Sequence, residues 1–160
     1  IGSGTIIGSH VALSAGVSPE HELARDTVVS IGDRCLIGRG SGIVGHESIT
    51  IGDDVFTGHH VYVTDANHGY EDLDVPIGRQ FSGPKPVVIG PGSWLGHGSV
   101  VLPGAHISAH VVIGAGSVVT GPAIVEEHTA TTILHPGDVG RVGAWGELVI
   151  TIAQEASGRA

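Results

Sequence analysis

The sequence predicts an all-β fold, a parallel β-helix wound from six-residue repeats, and three observations carry that expectation. Between Ile89 and Val119 a bulky aliphatic residue recurs every six positions: Ile89, Leu95, Val101, Ile107, Ile113 and Val119. Four positions after each stands a small or β-branched residue: Ser93, Ser99, Ala105, Val111, Ser117 and Ala123. Glycine punctuates the same stretch, at Gly90, Gly96 and Gly114 directly after a lead residue and at Gly92, Gly98, Gly104 and Gly116 three positions after one. A period of six fits neither the 3.6 of an α-helix nor the 2 of a long strand. It fits a chain that runs straight for two or three residues, turns a corner and repeats.

The elements follow in chain order. Ile1, Ile7 and Leu13 lead the first coil, with Thr5, Val11 and Val17 as their fourth-position partners. Residues 17–30 (VSPEHELARDTVVS) leave the pattern and read as a polar loop thrown out at one corner. Ile31, Ile37 and Ile43 then resume it, with Cys35 and Ser41 inside and Glu47 breaking the rule. Two extra residues shift the phase to Ile51, Thr57 and Val63, partnered by Val55 and Val61, until Asn67 breaks it again. Of the fifteen lead positions fourteen are Ile, Leu or Val, which removes chance alternation as a rival.

Residues 64–88 (TDANHGYEDLDVPIGRQFSGPKPVV) form a long insertion, and the unbroken run from Ile89 follows. After Gly121 the phase survives through Val125 and then dissolves, leaving a turn signal at Pro136-Gly137 and weak strand alternation over 147–152. Two regions result: a β-helix domain over 1–125 and a β-rich extension over 126–160. Large lead side chains and small fourth-position ones point inward and stack between coils spaced about 4.8 Å apart. About six coils would give a prism of roughly 29 Å.

Composition bounds the function. Net charge is −9 with Gly at 27, charged residues at 14% and aromatics at 4%. That argues against a nucleic-acid binder, which would need a basic face. The single cysteine, Cys35, sits at an inward repeat position, where a buried structural thiol is expected rather than a reactive one. With no disulfide, signal peptide or twenty-residue apolar run, the expected compartment is the cytoplasm, with no membrane insertion.

The insertion concentrates chemistry. It holds Asp65, Asn67, His68, Tyr70, Glu71, Asp72, Asp74, Arg79, Phe81 and Lys85, the chain's one lysine. Loops this long inside compact folds are uncommon unless functional. Eleven histidines raise a metal reading. His10, His60 and His110 take corner positions, His59, His97 and His106 lie near corners, and His46 marks the phase shift.

The segments "IGDDVFTGHHVYVTDANHGYEDLDVPIG", "KPVVIGPGSWLGHGSVVLPGAHI" and "VVIGAGSVVTG" resemble the hexapeptide-repeat acyltransferases. The likeness is to the maltose and galactoside acetyltransferase type and its polysaccharide O-acetyltransferase relatives. It covers residues 1–120, best over 31–120. It implies a left-handed β-helix, a homotrimer with sites at subunit interfaces, and transfer of acetyl from acetyl-CoA to a hydroxyl or amine of a sugar-like acceptor.

By the same resemblance His68, nineteenth in the run opening at Thr50, is the general base, followed by Gly69 where the family commonly has Pro. Trp94 matches the Trp that walls the loop and the acyl-CoA site. Asp65, Asn67, Tyr70 and Trp94 are the candidate acceptor contacts. Lys85, Arg79, His97, Ala115 and Thr120 are the candidate coenzyme contacts. Gly38 stands where galactoside enzymes carry an acceptor-binding Asn, and Gly121 replaces a basic residue. The stretch 121–152 resembles instead the C-terminal segment of hydantoinase A and 5-oxoprolinase subunits, without the family's basic "RVIR" terminus. Two rival readings stand beside acyl transfer. One is a zinc lyase like the gamma-class carbonic anhydrases, although His106 and His110 are separated by three residues and no His-x4-His occurs. The other is a noncatalytic or chimeric β-helix scaffold.

The chemistry expected of His68 is direct. An alcohol is a poor nucleophile at neutral pH, and an imidazole accepting its proton in the transition state contributes on the order of 10²–10⁴-fold. Asp65, Glu71 or Asp74 are the carboxylates available to orient the ring. No Ser or Cys nucleophile motif calls for an acyl-enzyme.

Overall fold

The computed structural model describes residues 1–16 and 25–120, together with the backbone of four short strands between 124 and 151. The first coil contributes β1 (Ile6–Ile7) and β2 (Ala12–Ala15). The second adds β3 (Val29–Ile31), β4 (Leu36–Ile37) and β5 (Gly42–Gly45). The third has β6 (Ile49–Ile51), β7 (Phe56–Thr57) and β8 (Tyr62–Thr64). The fourth has β9 (Val87–Ile89), β10 (Trp94–Leu95) and β11 (Val100–Val101). The fifth closes with β12 (His106–Ile107), β13 (Val112–Ile113) and β14 (Val118–Val119).

Strands of equal rank stack in parallel into three faces, β1-β4-β7-β10-β13, β2-β5-β8-β11-β14 and β3-β6-β9-β12. Among the described residues five levels form rather than about six, because the connection from β8 to β9, residues 65–86, takes more than one coil's complement of residues. Beyond Thr120 the strands change character. β15 (Ile124–Glu127) pairs antiparallel with β16 (Ala130–Ile133), and β17 (Val139–Val142) with β18 (Leu148–Thr151). Val17, Gly121, Ala123 and the Pro136-Gly137 turn lie outside the described residues.

The repeat explains the core. Ile37, Ile51, Ile89, Leu95, Val101 and Ile113 are all at most 2% exposed, with Cys35, Val55, Val61 and Ala105 buried between them. Replacing such a residue, Leu95 by Ala for example, costs about 2–5 kcal/mol because the stack cannot collapse around the hole. Ile1, Ile7 and Leu13, the lead residues of the first level, are exposed. Thr57, the one lead residue that is not aliphatic, is buried without penalty. Its Oγ1 accepts from the Gly38 N–H at 2.8 Å and donates to the Gly58 carbonyl at 3.1 Å.

Fourth-position hydroxyls fasten coil to coil. Ser93 Oγ donates to the Ser108 carbonyl at 2.9 Å and accepts from the Val111 N–H at 3.1 Å. Thr5 Oγ1 bridges Gly32 and Cys35 in the same way. The Cys35 thiol, buried as expected, donates to the Gly52 carbonyl at 3.1 Å.

Corners turn through the left-handed region. His10, His60 and His110 adopt φ of 59°, 58° and 60°. The imidazoles of His60 and His110 lie across Gly40 and Gly92 of the preceding level, where a Cβ would stand 2.5 Å from a ring atom. Those two positions need glycine twice over, for φ near +70° and for the ring. Outside, the faces differ. The first exposes an apolar column, Ile6, Leu36, Phe56, Trp94 and Val112 in register. The second carries Ala12, Gly42, Tyr62, Val100 and Val118. The third is mostly polar, with Ser30, Thr50, Val88 and His106. Among the described residues no helix is long and apolar enough to cross a membrane.

Candidate active site

The phase shift noted in the sequence builds the floor of the site. Between β5 and β6 the extra residues turn three successive N–H groups inward. His46, Glu47 and Ser48 donate to the Asp65 carboxylate at 2.8, 2.8 and 2.7 Å. Asp65 has no exposed surface, and its Oδ1 also lies 3.3 Å from His46 Nδ1. The first residue of the long connection therefore locks the corner below it. A buried carboxylate holding this many donors is stabilised in place as a unit.

From Asp65 the chain rises into the loop and returns beside itself. His68 and Phe81 form an antiparallel bridge, Ser82 N–H donates to the Asn67 carbonyl at 3.1 Å, and Lys85 N–H to the Asp65 carbonyl at 2.7 Å. A 3-10 turn, Ile77–Arg79, makes the far end. Gln80 is the staple. Its Nε2 donates to the Asp72 and Val75 carbonyls, both at 2.7 Å, and its Oε1 accepts from Asp72 N–H at 3.1 Å.

The Gln80 carbonyl faces His68. It accepts from Gly69 N–H at 3.0 Å and stands 3.2 Å from His68 Nδ1. A carbonyl oxygen only accepts, so the proton of neutral His68 resides on Nδ1 and the lone pair on Nε2. The ring rests against Phe81 with centroids 5.4 Å apart. The orienting partner is thus a backbone oxygen and not the Asp65, Glu71 or Asp74 carboxylate that the sequence offered.

Beneath this ring lies a cavity of about 650 Å³. Its walls include His46, Tyr62, Thr64, Asn67, His68, Phe81 and Ser82, with Val44, Ala66 and Pro84 completing an apolar side. Of the sequence candidates, His68 and Asn67 line it and Asp65 stands behind it. Tyr70 is 73% exposed outside it, and Arg79 lies at the loop's far end. Trp94 is half-exposed on the first face between Phe56 and Val112. His97 belongs to a corner group, its ring centroid 6.3 Å from that of His59 and 5.6 Å from that of His60. Ala115 and Thr120 are exposed on the last level, and the Lys85 side chain runs over Gly104. Within one chain these residues do not meet the cavity. His46, Tyr62, Gln80, Phe81 and Ser82 complete the site without having been singled out for it. For His46 the signal was present, as the histidine sitting on the phase break.

Among the described residues no group of three or more His, Cys, Asp or Glu is placed to hold a metal ion. The strongest electrostatic cluster lies elsewhere, at another corner. Arg34 grips Asp54 with two bonds of 2.7 Å and has Asp53 at 3.7 Å and Asp33 at 3.9 Å. The hydrogen bond from Arg34 holds the Asp54 carboxyl below its ordinary range, and the same pair raises the guanidinium. Both side chains are more than half exposed, so the pair contributes little in water.

Parallel three-faced coils, hexapeptide repeats and fold likeness together define a left-handed parallel β-helix. Residues 86–121 match the family described as bacterial transferase hexapeptide (six repeats), and residues 28–64 the hexapeptide repeat of succinyl-transferase. The chain is similar to a "Probable acetyltransferase" of Mycobacterium tuberculosis, 35% identical over 98 residues, covering 61% of this chain and 33% of that protein. It is also similar to a galactoside O-acetyltransferase of Lactococcus lactis, 34% identical over 120 residues, covering 62% and 57%.

A maltose O-acetyltransferase from Clostridium difficile shares the fold at TM-score 0.51 and 23% identity, over 96% of this chain and 70% of that one. So does an N-acyltransferase from Bacillus cereus solved with dTDP and Coenzyme A, at TM-score 0.56 and 17% identity, over 82% and 76%. The chain spans between 33% and 57% of the two curated relatives' lengths.

Proposed function

We propose that this chain is an acetyltransferase that moves an acetyl group from acetyl-CoA to a hydroxyl of a sugar-like acceptor, with His68 as general base. The observation that carries the reading is the 3.2 Å contact of His68 Nδ1 with the Gln80 carbonyl, beside a cavity that His68 lines: it puts the neutral ring's proton on Nδ1 and leaves Nε2 as the nitrogen able to accept. Relatives named acetyltransferases and a fold neighbour solved with Coenzyme A support the reaction class and the co-substrate.

The acceptor oxygen attacks the thioester carbonyl while its proton passes to Nε2. The tetrahedral adduct then collapses, the C–S bond breaks, and the departing CoA sulfur takes the proton from the imidazolium. The ester and free CoASH are the products. Holding acceptor and thioester together supplies acceleration beyond the proton transfer.

The working unit of this reading is a homotrimer. Two faces carry apolar outer columns with half-exposed Phe56, Trp94 and Tyr62, and the third face is mostly polar. A heterologous contact of first face against second face closes into a ring of three. Such a ring brings Trp94, His97, Ala115 and Thr120 of one copy toward the loop of the next, with Arg79 and Lys85 available to coenzyme phosphates. Asn67 and Tyr70 remain the acceptor contacts from the loop itself.

The test is CoA release from acetyl-CoA in the presence of saccharide acceptors, read with a thiol reagent. Wild type should turn over above hydrolysis. His68→Ala should lose about 10²–10⁴ in kcat with thermal stability unchanged, because the ring is exposed and leaves no cavity. Saccharide-independent release in wild type, or full activity in the variant, would sink the proposal.

A further inference from the structure

The corner between the first and second faces repeats one turn from level to level. The N–H groups of Gly40, His60 and Gly98 donate to the Ser9, Arg39 and His59 carbonyls one level below, at 3.0, 2.9 and 2.9 Å. The corner between the third and first faces is built the same way. There the Arg34, Asp54 and Gly92 N–H groups donate to the Ser3, Asp33 and Asp53 carbonyls at 2.8, 2.9 and 2.9 Å. Ser9, Arg39 and His59 are thus the counterparts of Ser3, Asp33 and Asp53, and His97 continues their column one level up.

The two corners differ in what meets the outward N–H of the turn. Beside the third face that N–H finds a carboxylate one level up: Ser3 N–H donates to Asp33 Oδ1 at 2.6 Å, and Asp33 N–H to Asp53 Oδ1 at 2.9 Å. On the other ridge the residues one level up are Arg39, His59 and His97, which are cationic or become so on protonation. The N–H groups of Ser9, Arg39 and His59 accordingly have no acceptor among the described residues. Arg39 pairs with no carboxylate there either. The His60 ring joins the same corner, its centroid 5.6 Å from that of His97, with that of His59 at 6.3 Å. Among the described residues every Asp and Glu lies at the other two corners or in the loop between β8 and β9. In a chain of net charge −9 this one ridge gathers cation-forming groups and free N–H donors with no acid among them.

The opposite corner shows what such a turn takes, an oxyanion. On the ridge the chain supplies none, and the donors are more numerous. With levels about 4.8 Å apart, the Arg39 fork, two imidazoles and the N–H groups between them offer more donors than the two oxygens of one carboxylate use. A phosphate group brings three acceptor oxygens and close to two negative charges, and a guanidinium matches its geometry with paired bonds.

We infer that this ridge is a phosphate site formed by Arg39, His59 and His97, and that the phosphate it holds is carried by the acceptor. The second half rests on the proposed acetyl transfer. In that reading the ring of three turns His97 toward the loop of the next copy, and the coenzyme contacts Ala115 and Thr120 lie on the level above His97. Ala115 takes, on the fifth level, the position that His97, His59 and Arg39 hold on the fourth, third and second. The charge on the ridge therefore runs from His97 away from the coenzyme contacts, which assigns it to the other substrate. Arg79 and Lys85 of the loop remain for the coenzyme's own phosphates.

Binding is read without turnover. Protein with 15N-labelled histidine is titrated with inorganic phosphate, and the His59 and His97 ring signals should shift. Arg39→Gln, at an exposed side chain, should weaken the binding roughly tenfold. Arg34→Gln removes a charge that three aspartates already surround and should leave it unchanged. Unmoved His59 and His97 signals, or equal weakening by both variants, would overturn the ridge site.

Turnover then tests whose phosphate it is. With acetyl-CoA and either a hexose phosphate or the parent hexose, wild type should favour the phosphate by about tenfold in kcat/KM. Arg39→Gln should lose that preference and keep its KM for acetyl-CoA. A raised KM for acetyl-CoA with the acceptor preference intact would assign the phosphate to the coenzyme and overturn the acceptor half. If phosphate binds as expected while no acetyl transfer occurs, the reaction assignment fails with the acceptor half and the ridge site stands. If transfer occurs while phosphate leaves both ring signals unmoved, the ridge site fails and the reaction assignment stands.

Discussion

Replacing Asp65 by Asn changes one atom at the most constrained polar point of the molecule. The carboxylate accepts His46 N–H on Oδ1 and the Glu47 and Ser48 N–H groups on Oδ2. An amide can keep only one accepting oxygen. If it stays toward His46, its NH₂ faces two backbone donors, which then lose their acceptor. A donor left without a partner costs about 1–3 kcal/mol. Residues 47 and 48 are half-buried, so water reaches them in part and the lower end applies. Relief of the buried charge offsets some of the loss. The expected net destabilisation is about 1–2 kcal/mol, or roughly 2–8 °C in Tm for a chain of this size.

The assay is urea unfolding at fixed protein concentration, because assembly would couple stability to concentration. A change below about 1 kcal/mol would refute the claim that Asp65 locks the β5–β6 corner. Glu71→Gln, at an exposed loop carboxylate, serves as the control and should be neutral.

Gln80→Ala keeps the carbonyl that faces His68 but removes three bonds to Asp72 and Val75, so under the proposed reaction kcat should fall roughly tenfold while acetyl-CoA binding by calorimetry stays unchanged; equal kcat would mean the staple does not position the proposed base. Phe56→Asp places a charge in the middle of the first face's apolar column and should convert the proposed trimer to monomer by light scattering, whereas a wild-type monomer at micromolar concentration would remove the basis for a shared site. The Arg34–Asp54 pair gives a signed pH effect. Asp54 titrates below its ordinary 3.8 in the folded chain, so the pair's contribution is present above that value and is lost as pH falls through the lowered one. Arg34→Ala should therefore flatten the Tm–pH curve below about pH 4 and leave its slope near neutrality alone; an altered slope near neutrality would contradict the assignment.

How much of this was legible in the sequence depends on which atoms carry the information. A lead residue is fixed by its own side chain, since only a large aliphatic fills the space between coils. Ile89, Leu95 and Val101 could therefore be placed inside from their spacing alone, and all three are buried. The reading of His68 came from the resemblance and its spacing from Thr50, and the structure puts this residue on the wall of the cavity.

What orients His68 was not legible, because the Gln80 carbonyl is a group every residue owns. Only the fold of the loop brings it within 3.2 Å of the ring. The same holds for Asp65, whose residue type suggests an acceptor contact or a partner for the base. Its role is set by three backbone N–H groups eighteen or so positions earlier, exposed by a two-residue phase shift that composition cannot interpret. The shift itself was visible, and Glu47 marked it. A break in a strict repeat leaves backbone donors that the repeat would otherwise have paired between coils, and buried donors require an acceptor. The nearest carboxylate of the next coil is then the residue to examine, and here that step leads from Glu47 to Asp65 and from Asp65 to His46.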